Sequence, residues 1–175
     1  QMWERVSTLV NNGHDVEKVE LLVLGGTWTE YPVEYQEEFV RDLFFAANTF
    51  NLIPERFQGD DDDLYYQIRS RIREPYSLEE EQHINESSPI KIIGLTLETR
   101  PDTIDETNIR LFKKYGCTRM QLGIQSLDNK VLKKINRGHT IERAYEAMEM
   151  LLDSGYKVDI HLMPDLPGST VENDH

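Results

Sequence analysis

The residues best suited to chemistry fall in a few short stretches: Gly25-Gly26-Thr27, Glu98-Thr99-Arg100-Pro101-Asp102, Gln125-Ser126, Arg137, and His161 running into Met163-Pro164-Asp165-Leu166-Pro167-Gly168. Each type has a physical use. A Gly-Gly pair leaves backbone carbonyls bare, so a ligand amine can approach them closely. The Glu98 carboxylate offers enough lone pairs to accept from two vicinal hydroxyls of a ribose. Gln125 can donate and accept. Arg137 can pair bidentately with a carboxylate. Together they complement a ligand that joins an amine, a carboxylate and a ribose. Structural readings stand beside these: a plain turn at the glycines, a Glu98–Arg100 ion pair, a helix cap at Gln125 and a satisfied core histidine at His161.

The elements around these residues follow one rhythm, in which an amphipathic helix ends at a glycine and a short apolar strand follows. The spacing predicts a helix over 2–12 stopped by Gly13, then a strand over 19–24. It predicts a helix over 104–115 stopped by Gly116, then a strand over 119–124. A third pair comprises a helix over 140–154 stopped by Gly155 and a strand over 157–163. Glycine in the left-handed conformation closes a helix without steric cost. Thr103-Ile104-Asp105-Glu106 fits a capping box, and Thr140 fits a simple N-cap. A fourth strand over 91–97 and a helix over 33–48 behind Pro32 complete the pattern. Alternating strands and helices imply an α/β fold with an open parallel sheet and outer helices. Sites on such sheets form at the C-terminal ends of the strands. Apart from Arg137, the stretches named above fall at or beside those ends.

Residues 51–90 break the rhythm. The acidic run at 60–63 reads as a solvated loop or helix start. Arg69, Arg71 and Arg73 follow it, with Arg69 and Arg73 four apart on one helix face. That face is either ion-paired or a phosphate contact.

The bulk properties narrow the function class. The chain has 175 residues and a net charge of −13, which counts against nonspecific nucleic-acid binding. A local basic groove remains compatible with it. Cys117 is the single cysteine, so this chain makes no internal disulfide and no metal cluster of its own. It reads as a small buried residue at the start of a strand. No apolar run approaches the roughly 20 residues of a membrane span, and a cytoplasmic location is expected. Both ends read as cut, so residues 1–175 are expected to be the central part of a longer domain.

The stretches "HDVEKVELLVLGGTW", "EEEQHINESSPIKIIGLTLETRPD", "YGCTRMQLGIQS", "INRGHT" and "SGYKVDIHLMPDLPGST" resemble the radical S-adenosylmethionine (SAM) domain of the Elongator catalytic subunit family. The combination of "ETRPD", "NRGHT" and "MPDLPG" is specific. "GIQS" and "DLPG" are also similar, more distantly, to the coproporphyrinogen dehydrogenase branch of radical SAM enzymes. The resemblance implies a partial (β/α) radical SAM barrel. Gly25, Gly26 and Thr27 match the motif that holds the SAM amino group, with Thr27 in place of the usual Glu. Glu98 matches the ribose-binding acid. Gln125 and Arg137 match positions that contact SAM, and His161 matches a position near the adenosine. Lys18 matches a lysine linked to acetyl-CoA. No residue is assigned a catalytic role.

In such proteins the cluster-binding cysteines and the first barrel strand precede the part matched here, and an acetyltransferase-like domain follows it. The implied parent uses SAM, a 4Fe–4S cluster and acetyl-CoA to carboxymethylate C5 of the wobble uridine in tRNA. In it, a deoxyadenosyl radical takes hydrogen from the acetyl group, the resulting carbon radical adds to the uridine, and hydrolysis follows. Other Elongator subunits are implied partners. Much of the basic surface for tRNA is expected from flanking regions. Two alternatives remain: a radical SAM enzyme of another substrate class, and a cluster-less scaffold that binds tRNA or partner subunits.

Overall fold

The computed structural model describes residues 2–52 and 72–174. The acidic run at 60–63, Arg69 and Arg71 lie outside the described residues. The elements run in the order α1 (Met2–Asn11), β1 (Lys18–Val23), α2 (Val33–Thr49), α3 (Leu78–Asn85), β2 (Lys91–Thr99), α4 (Glu106–Lys114), β3 (Arg119–Gln125), α5 (Asn129–Lys134), α6 (Ile141–Asp153), β4 (Lys157–Leu162) and α7 (Val171–Asp174). One four-stranded sheet has the order β1-β2-β3-β4, and both the β2–β3 and β3–β4 pairs are parallel. The expected α/β architecture is therefore present.

Gly13, Gly116 and Gly155 have φ of 82°, 76° and 86°. All three occupy the left-handed region that the helix-stop reading required. Thr140 caps α6, accepting from Arg143 N at 3.3 Å. Replacing Thr140 with alanine is expected to cost about 1 kcal/mol of stability, read by urea unfolding. An unchanged midpoint would contradict this role for the cap.

The box expected at 103–106 is not the one that forms. Pro101 starts a 3-10 turn over Pro101–Thr103, which holds Ile104 outside the helix. Asp105 is the cap instead, accepting from Asn108 N at 2.7 Å. A complete capping box forms further upstream, where Ser77 and Glu80 satisfy each other's backbone at the start of α3.

The chain divides into two compact units, residues 1–20 with 33–93, and residues 21–32 with 94–175. In the first, Val6, Ala47 and Ile90 form a small core with Met2, Val16, Val19, Phe50 and Ile92 against it. Polar groups supplement this core. Asn85 donates to Asn48 Oδ1 at 2.8 Å and to the Ile90 carbonyl at 2.9 Å, and accepts from Ile92 N at 2.8 Å. Glu81 is fully buried and accepts from Arg73, from Tyr76 N at 2.9 Å and from Asn48 Nδ2 at 2.8 Å.

The second unit has the larger apolar core, with Leu95, Leu97, Ile104, Phe112, Met120, Leu122 and Leu151 fully buried. Phe112 meets Tyr156 edge-on, with ring centroids 6.5 Å apart. Cys117 is buried here, its thiol 3.2 Å from the Arg119 carbonyl. Burial, partly offset by backbone contacts at Arg119 and Leu97, pushes that thiol up to about 12. It is an inert core residue, as its sequence position suggested.

Candidate functional site

Seven of the eight residues singled out in the sequence lie in the second unit, on or beside the C-terminal ends of its strands. Lys18 lies in the first unit, exposed at the start of β1.

β2 runs two residues beyond its expected end, to Thr99, and so places Glu98 in extended backbone. Glu98 Oε2 accepts from Gly25 N at 2.9 Å. Glu98 Oε1 lies 3.5 Å from His161 Nδ1. Three strand ends thus converge on one carboxylate. The structure does not pair Glu98 with Arg100. Arg100 turns instead to Asp102, with Nε 3.0 Å from Oδ1. Nor is His161 a core histidine, since its side chain is 39% exposed at the rim.

Gly25 has φ +106°, a conformation that favours glycine, and no atom lies within 4 Å of where a Cβ would stand on Gly25 or Gly26. Thr27 leads into a 3-10 turn over Trp28–Glu30 without a side-chain cap. A row of hydroxyls ties that turn to β2. Thr29 Oγ1 is 2.8 Å from Thr99 Oγ1, which is 3.0 Å from Thr103 Oγ1, and Thr103 donates to the Arg100 carbonyl at 2.9 Å. A hydroxyl has one proton to give. Thr103 therefore receives from Thr99, and Thr99 from Thr29.

Gln125 closes β3 at φ 76°, where the β3–β4 register shifts between Gly123 and Gln125. Its carbonyl accepts from Met163 N at 2.8 Å. It does not cap the next helix, because Asp128 does so. The Arg137 guanidinium reaches back over β3, and its Nη2 donates to the Gly123 carbonyl at 2.7 Å. A Cβ on Gly123 would stand 2.5 Å from that nitrogen, so only glycine leaves this space free. Arg137 Nε is buried without a partner. Burial first, then the neighbouring Arg100 guanidinium, lower the Arg137 pKa, against the pull of Asp102 and Glu98.

His139 is buried, with Nδ1 3.8 Å from Asp102 Oδ1. Burial first, then Arg137, hold its pKa below the ordinary value, although Asp102 opposes them. Sequence reasoning collected Thr99 and Asp102 but missed Thr29, Gly123 and His139 as parts of this rim. For His139 the available signal was "NRGHT", a stretch dense in hydrogen-bonding groups.

Known proteins are similar to this chain in sequence and fold. The Radical SAM superfamily pattern covers residues 4–174. The tRNA uridine(34) acetyltransferase of Methanocaldococcus infernus is 38% identical over 170 residues, covering 97% of this chain and 28% of that protein. Elongator complex protein 3 of Saccharomyces cerevisiae is 37% identical, over 97% of this chain and 26% of its own length. The chain thus spans little more than a quarter of the curated relatives it matches.

Among solved structures, the Methanocaldococcus infernus Elp3 with an N-terminal deletion superposes with a TM-score of 0.82 at 37% identity, over 98% of this chain and 35% of that one. The radical SAM methyltransferase TsrM of Kitasatospora setae shares the fold alone, at a TM-score of 0.51 and 12% identity over 97% of this chain and 26% of that one. The strand-end rim, the sheet order and these matches agree: the chain belongs to the radical SAM superfamily, a family built around SAM and a 4Fe–4S cluster.

Proposed function

We propose that this chain is the central, SAM-binding part of a longer cytoplasmic enzyme that modifies the wobble uridine of tRNA, adding a carboxymethyl group at C5 with acetyl-CoA as co-substrate. The observation that carries the reading is Arg137, half-buried with its Nε buried and unpartnered, beside a rim where Glu98, Gly25 and His161 converge. The name of the archaeal relatives, tRNA uridine(34) acetyltransferase, supports tRNA uridine 34 as the substrate.

The residues present fit SAM. Arg137, with Nε unpartnered, would take the carboxylate, the bare carbonyls at Gly25 and Gly26 the amine, and Glu98 the ribose. Gln125 and His161 would line the adenosine side. They do not fit a 4Fe–4S cluster. The one cysteine is buried with a thiol pushed up to about 12, and no metal-binding cluster of His, Cys, Asp or Glu occurs among the described residues. The cluster ligands belong to flanking sequence. SAM held by these residues would supply a carbon-centred radical once reduced by a cluster. This chain would bind and orient the cofactor. Lys18 would serve acetyl-CoA. Other Elongator subunits are proposed partners.

The acidic total hides one basic strip. Residues 129–140 include Lys130, Lys133, Lys134 and Arg137 and no acid. In α5, Val131 and Leu132 are buried while the three lysines are exposed. This strip is proposed to touch tRNA phosphates. Replacing the three lysines with alanine in the full-length protein should flatten the salt dependence of tRNA binding. The slope of log K against log salt should fall by roughly 0.7 to 0.9 for each contact removed. An unchanged slope would make the strip a solvated face.

The activity is tested with the full-length protein, reconstituted without oxygen, by following deoxyadenosine release from SAM. Release should rise at least tenfold when acetyl-CoA and tRNA are present. Release indifferent to acetyl-CoA would point to another substrate class, and no release from a loaded cluster would point to a scaffold.

A further inference from the structure

We infer that Glu98 is also a positioning residue for the Gly25–Gly26 turn, so that the ribose end and the amine end of SAM are bound through one shared carboxylate. This rests on the SAM-site reading above and adds a coupling between its two halves.

The turn has few other supports. It has no side chains of its own to pack, and a Cβ at Gly25 or Gly26 would meet nothing within 4 Å. Gly25 sits at φ +106°. The backbone N–H of Gly25 donates to Glu98 Oε2 at 2.9 Å. A peptide unit is planar, so fixing that N–H fixes the plane that begins the turn and limits where the following carbonyls aim. Downstream, the turn is anchored by the Thr29–Thr99 hydroxyl contact at 2.8 Å, again on β2. Glu98 has capacity for both tasks. A carboxylate offers roughly four lone-pair directions. The Gly25 N–H takes one and the His161 imidazole faces another at 3.5 Å, which leaves the rest for ribose hydroxyls.

The two tasks separate by substitution. Glu98→Gln keeps an oxygen for the Gly25 N–H but loses the charge. Glu98→Ala loses both. The ligands are the two halves of SAM, methionine and 5′-deoxyadenosine, each radiolabelled. Their binding to the full-length, cluster-loaded protein is measured by equilibrium dialysis, with thermal melting as the folding control.

Deoxyadenosine affinity should fall at least fivefold in both variants. Methionine affinity should stay within twofold of wild type in Glu98→Gln and fall at least fivefold in Glu98→Ala, although methionine has no ribose. Methionine affinity equal in all three proteins, or reduced equally in both variants, would overturn the positioning role while leaving the ribose role intact. Deoxyadenosine affinity unchanged in both variants, or a wild type that binds neither half, would overturn the SAM-site reading and this inference with it.

Discussion

Arg137→Ala and Gly123→Ala should both cut the SAM affinity of the full-length protein by about 10- to 100-fold, or roughly 1.4 to 2.8 kcal/mol. The two substitutions remove the same cation from the same place by different routes. Arg137→Ala deletes it. Gly123→Ala puts a methyl group where the guanidinium lies, since a Cβ there would stand 2.5 Å from Nη2 and 3.0 Å from Gln125 Nε2. Both atoms are far ends of flexible side chains, so the side chains yield while β3 stays in place. Gly123 also lacks a positive φ, so alanine suits its backbone. Gly123→Ala should therefore leave the melting temperature within a few degrees of wild type while SAM binding falls. Equal SAM affinity with an intact fold would show that Arg137 does not hold the cofactor.

The second large effect is on stability. Arg73→Ala should destabilise the protein by about 3 to 5 kcal/mol at neutral pH, because it strands the buried Glu81 carboxylate. Arg73 binds Glu81 and also lies 5.1 Å from the Phe45 ring centroid and 4.2 Å from that of Tyr76. Burial alone would raise the Glu81 pKa. The Arg73 guanidinium, the Tyr76 N–H and the Asn48 amide together outweigh it and hold the carboxyl below its ordinary value of 4.5.

A carboxyl lowered in the folded state contributes stability that is present above the unfolded pKa. That contribution is lost as pH falls through the folded pKa. The gap between wild type and Arg73→Ala should accordingly be widest at neutral pH and narrow as the pH falls, because Glu81 takes up its proton sooner once Arg73 is gone. Denaturant unfolding at several pH values reads this directly. A gap independent of pH would mean that lost aromatic stacking, and not the stranded charge, sets the cost.

Helices 2–12, 33–48, 104–115 and 140–154 were legible because amphipathic runs ended at glycine or began after proline. α3 was not, because Leu78–Asn85 is mostly charged and polar. Its signal was local: Ser77 and Glu80 spell a capping box, which the apolar periodicity does not register. The end of β2 was set two residues short, because Glu98 and Thr99 are polar and look like loop. They remain in the strand because β3 pairs with them, Glu98 opposite Gln121 and Thr99 opposite Leu122.

For the site, residue type and strand-end position picked out Gly25, Gly26, Thr27, Glu98, Gln125 and His161, whereas Arg137, in the loop between α5 and α6, was named for its type and from the family resemblance. They could not reveal which groups touch. The Glu98–Gly25 bond spans 73 residues, and nothing local in the sequence marks it. Gly123 was invisible for a related reason. Inside an apolar strand its value is the space it leaves for Arg137, and that space depends on a loop 14 residues away.

The central claim, that these strand ends hold SAM, is tested most directly by an anaerobic crystal structure of the full-length protein with its cluster and SAM bound. The expected result is the SAM carboxylate on Arg137, the ribose hydroxyls on Glu98 and the amine at the Gly25–Gly26 carbonyls. SAM bound with none of these residues within hydrogen-bonding distance would contradict it.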